Sequence, residues 1–140
     1  FTADGRVKLL DFGIAKLLDA GGKAERTVLT LKSGQALTPE FAAPEQVQGA
    51  TITAAVDVYA CGVLLYLLLG GRHPTAAGCR NTGETIRALF AVQPRPLGLG
   101  ELDGVLARAL HKAPSERYAS AAAFAEELER YLRLTRAPVD

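Results

Sequence analysis

Methionine is absent from this 140-residue chain, and cysteine and histidine occur only twice each. Without a methionine at position 1, and with Phe1 already inside a strand-like pattern, the chain is expected to be cut from something longer. Cys61 and Cys79 stand far apart with no C-x-x-C pair. That argues against a disulfide framework or a thiolate metal site and leaves Cys61 as a small apolar packing residue. His73 and His111 have no spaced partner for metal or nucleophilic work and are read as structural or solvent-facing. Acidic and basic residues nearly cancel at a formal net charge of +1. With no clustered basic stripe, nucleic acid is not an expected partner. No apolar run reaches the ~18 residues of a membrane span. The N-terminus has neither the basic n-region nor the apolar h-region of a secretory signal, so a cytoplasmic, reducing setting is expected.

What the chain does have is core material, with 49% hydrophobic and 22% charged residues, outside the range of a disordered chain. Its centre is residues 54–69, AAVDVYACGVLLYLLL. As a helix this run has aliphatic residues on nearly every side and no polar face after Asp57, so the pattern predicts a helix buried all round. Asp57 is the odd residue, because a carboxylate on a buried helix needs donors. It is expected to hold a backbone loop outside this helix.

Around that centre, Asp4-Gly5 and the run 6–10 read as a short β-hairpin. Residues 14–42 lose all periodicity, and so long an irregular stretch is more often functional than idle. Pro44 opens a short helix. Gly70-Gly71-Arg72-His73-Pro74 is a stop signal. Asn81 and Glu84 resemble a capping box for a helix over 82–92, and residues 93–100 read as a linker. Apolar positions 102, 105, 106, 109 and 110 mark another helix. Ser120 caps a last one, with Ala121, Phe124, Leu128, Tyr131 and Leu132 on its apolar face and Glu126–Arg130 and Glu129–Arg133 as i,i+4 pairs. There is no internal repeat. The expected architecture is mainly α, helices packed around a buried central helix with a short N-terminal hairpin.

Asp11-Phe12-Gly13 at the strand end and Ala43-Pro44-Glu45 after the long loop are each weak alone. They occur in order, with Thr38-Pro39-Glu40-Phe41 before the second. Asp57-Val58-Tyr59-Ala60-Cys61-Gly62-Val63 follows, and Pro114-Ser115-Glu116-Arg117-Tyr118 comes near the end. In this arrangement the sequence resembles the C-terminal lobe of eukaryotic-like (Hanks-type) serine/threonine protein kinases, most closely the bacterial members. The resemblance covers residues 1–134 as a partial kinase domain, with 135–140 starting a linker.

The resemblance implies ATP-dependent phosphoryl transfer to serine or threonine of a protein substrate. Asp11 matches the Mg2+ ligand that bridges the ATP phosphates, and Phe12 and Gly13 complete the regulatory motif at that cofactor. Residues 14–37 match the activation segment, with Thr27, Thr30 and Ser33 as candidate phosphosites. Thr38 matches the threonine that reaches the catalytic aspartate, and residues 35–42 the platform for the substrate residue after the phosphoacceptor. Glu45 and Arg117 match a buried ion pair fastening that platform, and Asp57 the residue holding the catalytic loop.

The glycine-rich loop, the ATP-binding lysine and the H-R-D loop are missing from the sequence. All three precede Asp-Phe-Gly in the family, so truncation explains the gap and the missing N-terminal lobe becomes an expected partner. Alone, the chain is expected to be inactive. The alternative is a non-catalytic pseudokinase-type binding module.

Overall fold

The apolar run forms a sixteen-residue helix at the centre of the described residues, because its aliphatic side chains leave little to offer to water. The computed structural model describes residues 39–136. Among them a 3-10 turn, Pro39–Phe41, leads into α1 (Pro44–Gln48), α2 (Ala55–Gly70), α3 (Thr82–Ala91) and α4 (Glu101–Ala109). A second 3-10 turn, Pro114–Glu116, precedes α5 (Ala121–Arg136). All elements among the described residues are helical. The expected hairpin, Asp11, Phe12, Gly13, the 14–37 segment with Thr27, Thr30 and Ser33, and Thr38 all lie outside the described residues.

Two apolar clusters meet on α2. Val56, Tyr59, Val63 and Tyr66 join Ala43, Leu89 of α3, and Leu106 and Leu110. Val58 joins Leu102, Val105, Ala109, Tyr118 and Phe124, with Cys61 packed at the edge. Gly62 lets α2 and α4 approach, since a Cβ there would lie 3.1 Å from the Cβ of Ala109. The left-handed Gly71, at φ 68°, closes α2 with its N–H on the Leu67 carbonyl at 2.9 Å.

The prediction of a helix buried all round holds only for part of α2. Leu68 is 74% and Leu69 45% exposed, and Asp57 is exposed as well. Asp57 sits in the first turn, where water and the positive end of the helix dipole stabilise a carboxylate, so it needs no buried donors.

Three local expectations change in detail. Asn81 Oδ1 accepts the Glu84 N–H at 2.9 Å, but the Glu84 carboxylate reaches past Asn81 to the Arg80 N–H at 2.7 Å. Residues 93–100 are no loose linker: the two carboxylate oxygens of Asp103 accept the N–H groups of Leu97 and Leu99 at 2.7 and 2.8 Å, and the Tyr66 hydroxyl donates to the Arg95 carbonyl at 2.7 Å. On α5, Ser120 Oγ caps the Ala123 N–H at 3.0 Å, and Phe124 stacks on Tyr118. Ala121 and Leu132 are exposed, and the packed side is Ala123, Phe124, Leu128 and Tyr131. Arg130 pairs with Glu127 at 2.6 Å and not with Glu126, whereas Arg133 does approach Glu129, at 3.8 Å.

Candidate functional site

The start of α1 is fixed by its own sequence. Pro44 occupies the first turn, where its missing N–H costs nothing, and Gln46 Oε1 turns back to accept the Ala43 N–H at 2.8 Å. That geometry directs the next side chain, Glu45, into the interior. There it meets Arg117, which follows the second 3-10 turn and is 72 residues away in sequence.

The contact is a fork. Arg117 Nη1 donates to Glu45 Oε1 at 2.6 Å and Nη2 to Oε2 at 2.9 Å, with the arginine side chain fully buried. Its remaining N–H groups go to backbone carbonyls: Nη1 to Ala55 at 3.0 Å, Nη2 to Lys112 at 3.3 Å and Nε to His111 at 2.7 Å. A guanidinium has five N–H donors, and here every one has an acceptor. A desolvated charge is tolerated only on such terms. Arg117 therefore ties together α1, the start of α2 and the segment after α4.

The surroundings follow from burial. Tyr59 lies beneath the guanidinium with its ring centre 4.9 Å from the Arg117 carbon, and its phenol is pushed well above the ordinary range by loss of water, partly offset by Arg117. Lys112, half-buried, donates from Nζ to the Leu89 carbonyl at the end of α3, and burial, with Arg117 nearby, lowers its pKa. The hydroxyl of Tyr59 and Nε2 of Gln46 are buried with no hydrogen-bond partner among the described residues. Burial also raises the Cys61 thiol, with Asp57 adding to the effect.

Glu45 and Arg117 are thus brought together. Asp57 is on the same helix as Tyr59 but exposed, with its N–H bonded to the Ala54 carbonyl at 3.1 Å. His73, expected to be structural or solvent-facing, makes structural contacts with the backbone: Nε2 lies 2.6 Å from the Glu40 carbonyl, and Nδ1 faces the N–H groups of Ala76 at 2.8 Å and Thr75 at 3.1 Å. Its position after the Gly70-Gly71 stop was the available signal, but a carbonyl acceptor has no signature in a sequence. Among the described residues no group of three His, Cys, Asp or Glu side chains could hold a metal ion. No helix among them is long and apolar enough to cross a membrane.

A family model described as Protein kinase domain matches residues 1–128. The chain belongs to the protein kinase family. Serine/threonine-protein kinase Pkn1 of Myxococcus xanthus is 41% identical over 132 residues, covering 88% of this chain and 18% of the relative. Serine/threonine-protein kinase PkaA of Streptomyces coelicolor is 38% identical over 128 residues, 90% of this chain and 21% of the relative. PkaB of the same organism is 42% identical over 115 residues, 78% of this chain and 25% of the relative. The chain spans at most a quarter of the length of these three curated relatives. Their names agree with the bacterial Hanks-type resemblance drawn from the motifs. In this kinase chain the Glu45–Arg117 fork joins the Ala43-Pro44-Glu45 motif to the Pro114–Arg117 motif, so two of the signatures that carried the resemblance are one physical contact.

Proposed function

We propose that this chain is the C-terminal-lobe portion of a serine/threonine protein kinase, residues 1–134, and works by transferring phosphate from ATP to a protein hydroxyl. The observation that carries the reading is the Glu45–Arg117 fork, which anchors the segment after residue 38 to the helical core. Phosphoryl transfer is governed by positioning and electrostatics, and a rigid mount for the segment that receives the substrate serves that need. In this reading residues 35–42 are the substrate platform and Thr38 reaches the catalytic aspartate. Asp11 holds Mg2+ against the phosphates of ATP, since a hard carboxylate oxygen suits that ion, and Phe12 and Gly13 complete that cofactor motif. Thr27, Thr30 and Ser33 are candidate phosphosites. Asp57, exposed as it stands, is free to receive the catalytic loop. The N-terminal lobe is the intramolecular partner, the phosphoacceptor is a protein, and the setting is cytoplasmic.

The test is made on the protein expressed together with its upstream coding sequence. Transfer of the ATP γ-phosphate to a protein serine or threonine is expected, and Asp11→Asn is expected to abolish it. Undiminished transfer would remove Asp11 as the metal ligand. An upstream sequence without a glycine-rich loop, a lysine and an H-R-D loop would leave the pseudokinase-type binding module instead.

A further inference from the structure

The imidazole of His73 joins two segments that sequence separates by 33 positions. On one side, Nδ1 faces the backbone N–H groups of Ala76 at 2.8 Å and Thr75 at 3.1 Å, with the Thr75 hydroxyl at 3.5 Å. Two N–H donors aimed at one ring nitrogen mean that nitrogen carries no proton. The proton of the neutral ring therefore sits on Nε2, where it donates to the Glu40 carbonyl at 2.6 Å.

Glu40 is the middle residue of the Pro39–Phe41 turn. That turn closes on itself by a long contact, Ala42 N–H to the Pro39 carbonyl at 3.4 Å. The His73 contact is much the shorter of the two. The loop that presents His73 is itself rigid, because Gly71 caps α2 and Pro74 and Thr75 are buried. The ring has only two side-chain torsions, so holding it in place costs little entropy.

We propose that His73 is a positioning residue for the protein substrate, pinning the Glu40 carbonyl and with it the substrate platform. This rests on the reading of residues 35–42 as that platform. Arg117 then fastens the platform at its downstream end, through Glu45, and His73 fastens it at Glu40. Arg117 holds a carboxylate by charge, whereas His73 holds a carbonyl by one directed proton. Losing the His73 contact removes the directed hold on the Glu40 carbonyl, with Phe41 still packed against the core, and strands no buried charge. The effect falls on binding of the phosphoacceptor and leaves the ATP site alone.

Three substitutions separate the two jobs of the ring. His73→Asn keeps an acceptor where Nδ1 sits but is too short to reach Glu40. His73→Gln places an amide N–H near Nε2 and gives up the Nδ1 acceptor. His73→Ala loses both. In the protein expressed with its upstream coding sequence, His73→Asn is expected to raise KM for a peptide phosphoacceptor by about fivefold, the scale of one net hydrogen bond. KM for ATP and kcat stay within about twofold. Backbone amides 40–43 exchange faster with deuterium in His73→Asn and His73→Ala, and His73→Gln returns both readouts toward wild type. Equal damage from Asn and Gln, or wild-type behaviour of Asn in both readouts, would overturn the proposal. So would ring nitrogen shifts of the wild-type protein that put the His73 proton on Nδ1. If the wild-type protein transfers no phosphate, the kinase reading fails, while the exchange and nitrogen-shift results still decide whether His73 holds the turn.

Discussion

Arg117 lies over Tyr59, its guanidinium carbon 4.9 Å from the ring centre, while the same group grips Glu45 with both nitrogen arms. The aromatic face and the carboxylate bracket one buried cation, so α1 and α2 are held by a single side chain that belongs to neither.

Removing one partner of the fork strands the other. Arg117→Met or Glu45→Met alone is expected to lower stability by about 3 to 5 kcal/mol. The double replacement recovers a large part of that loss, because no unpaired charge remains. Arg117→Lys also fails to rescue, since an ammonium cannot serve five acceptors in a plane. Urea denaturation of the wild type and the four variants checks this; equal losses in the single and double variants would contradict it.

Tyr59→Phe is expected to raise stability by about 1 kcal/mol, because it removes a buried hydroxyl that has no partner among the described residues. The same substitution changes the alkaline limb. Burial raises the Tyr59 phenol above its ordinary value of 10.0, so the folded state keeps the proton where the unfolded state gives it up. Its contribution is complete below about pH 10 and is lost as pH rises beyond that. Denaturation midpoints from pH 8 to 11 should fall less steeply in Tyr59→Phe than in wild type. A drop in stability at neutral pH would mean the hydroxyl has a partner after all.

A methyl group at Gly62 would meet Ala109 Cβ and Leu110 Cδ2, both at 3.1 Å. Alanine gains about 1 kcal/mol in helix propensity over glycine, against roughly 1 to 3 kcal/mol for overpacking. Ala109 is fixed to the α4 backbone and cannot swing aside, so the clash wins. Gly62→Ala should lower the melting temperature; an increase would show that the α2–α4 contact relaxes freely.

Asp103→Ala removes the acceptor of both the Leu97 and Leu99 N–H groups. The expected loss is about 2 kcal/mol, with faster hydrogen exchange confined to residues 95–100. Exchange spreading through α2 instead would show that the segment is part of the cooperative core and not a strap laid upon it.

Much of this was legible beforehand because it is local. The apolar pattern of α4 marked Leu102, Val105, Leu106, Ala109 and Leu110, and all five are buried. Asn81 and Ser120 announced their helices, since a cap acts within one turn. The α2 run announced itself by composition but not by extent, and its last turn emerges into solvent at Leu68 and Leu69. Arg130 had two glutamates within reach along the helix, and spacing does not choose between them.

By itself, the sequence determined where the helices lie and which kinase motifs are present, because those depend on side-chain types at short or characteristic spacing, while the pairing of Glu45 with Arg117 was implied only by the resemblance to the kinase family. Only the tertiary structure decided that Asp57 faces water, that Asp103 straps down residues 97 and 99, and that His73 reaches Glu40. It also supplied the carbonyls of Ala55, His111 and Lys112 to Arg117. Every residue carries a backbone N–H or carbonyl, proline lacking only the first, so residue type cannot say which of them a distant side chain will use; folding selects it by bringing the two within reach.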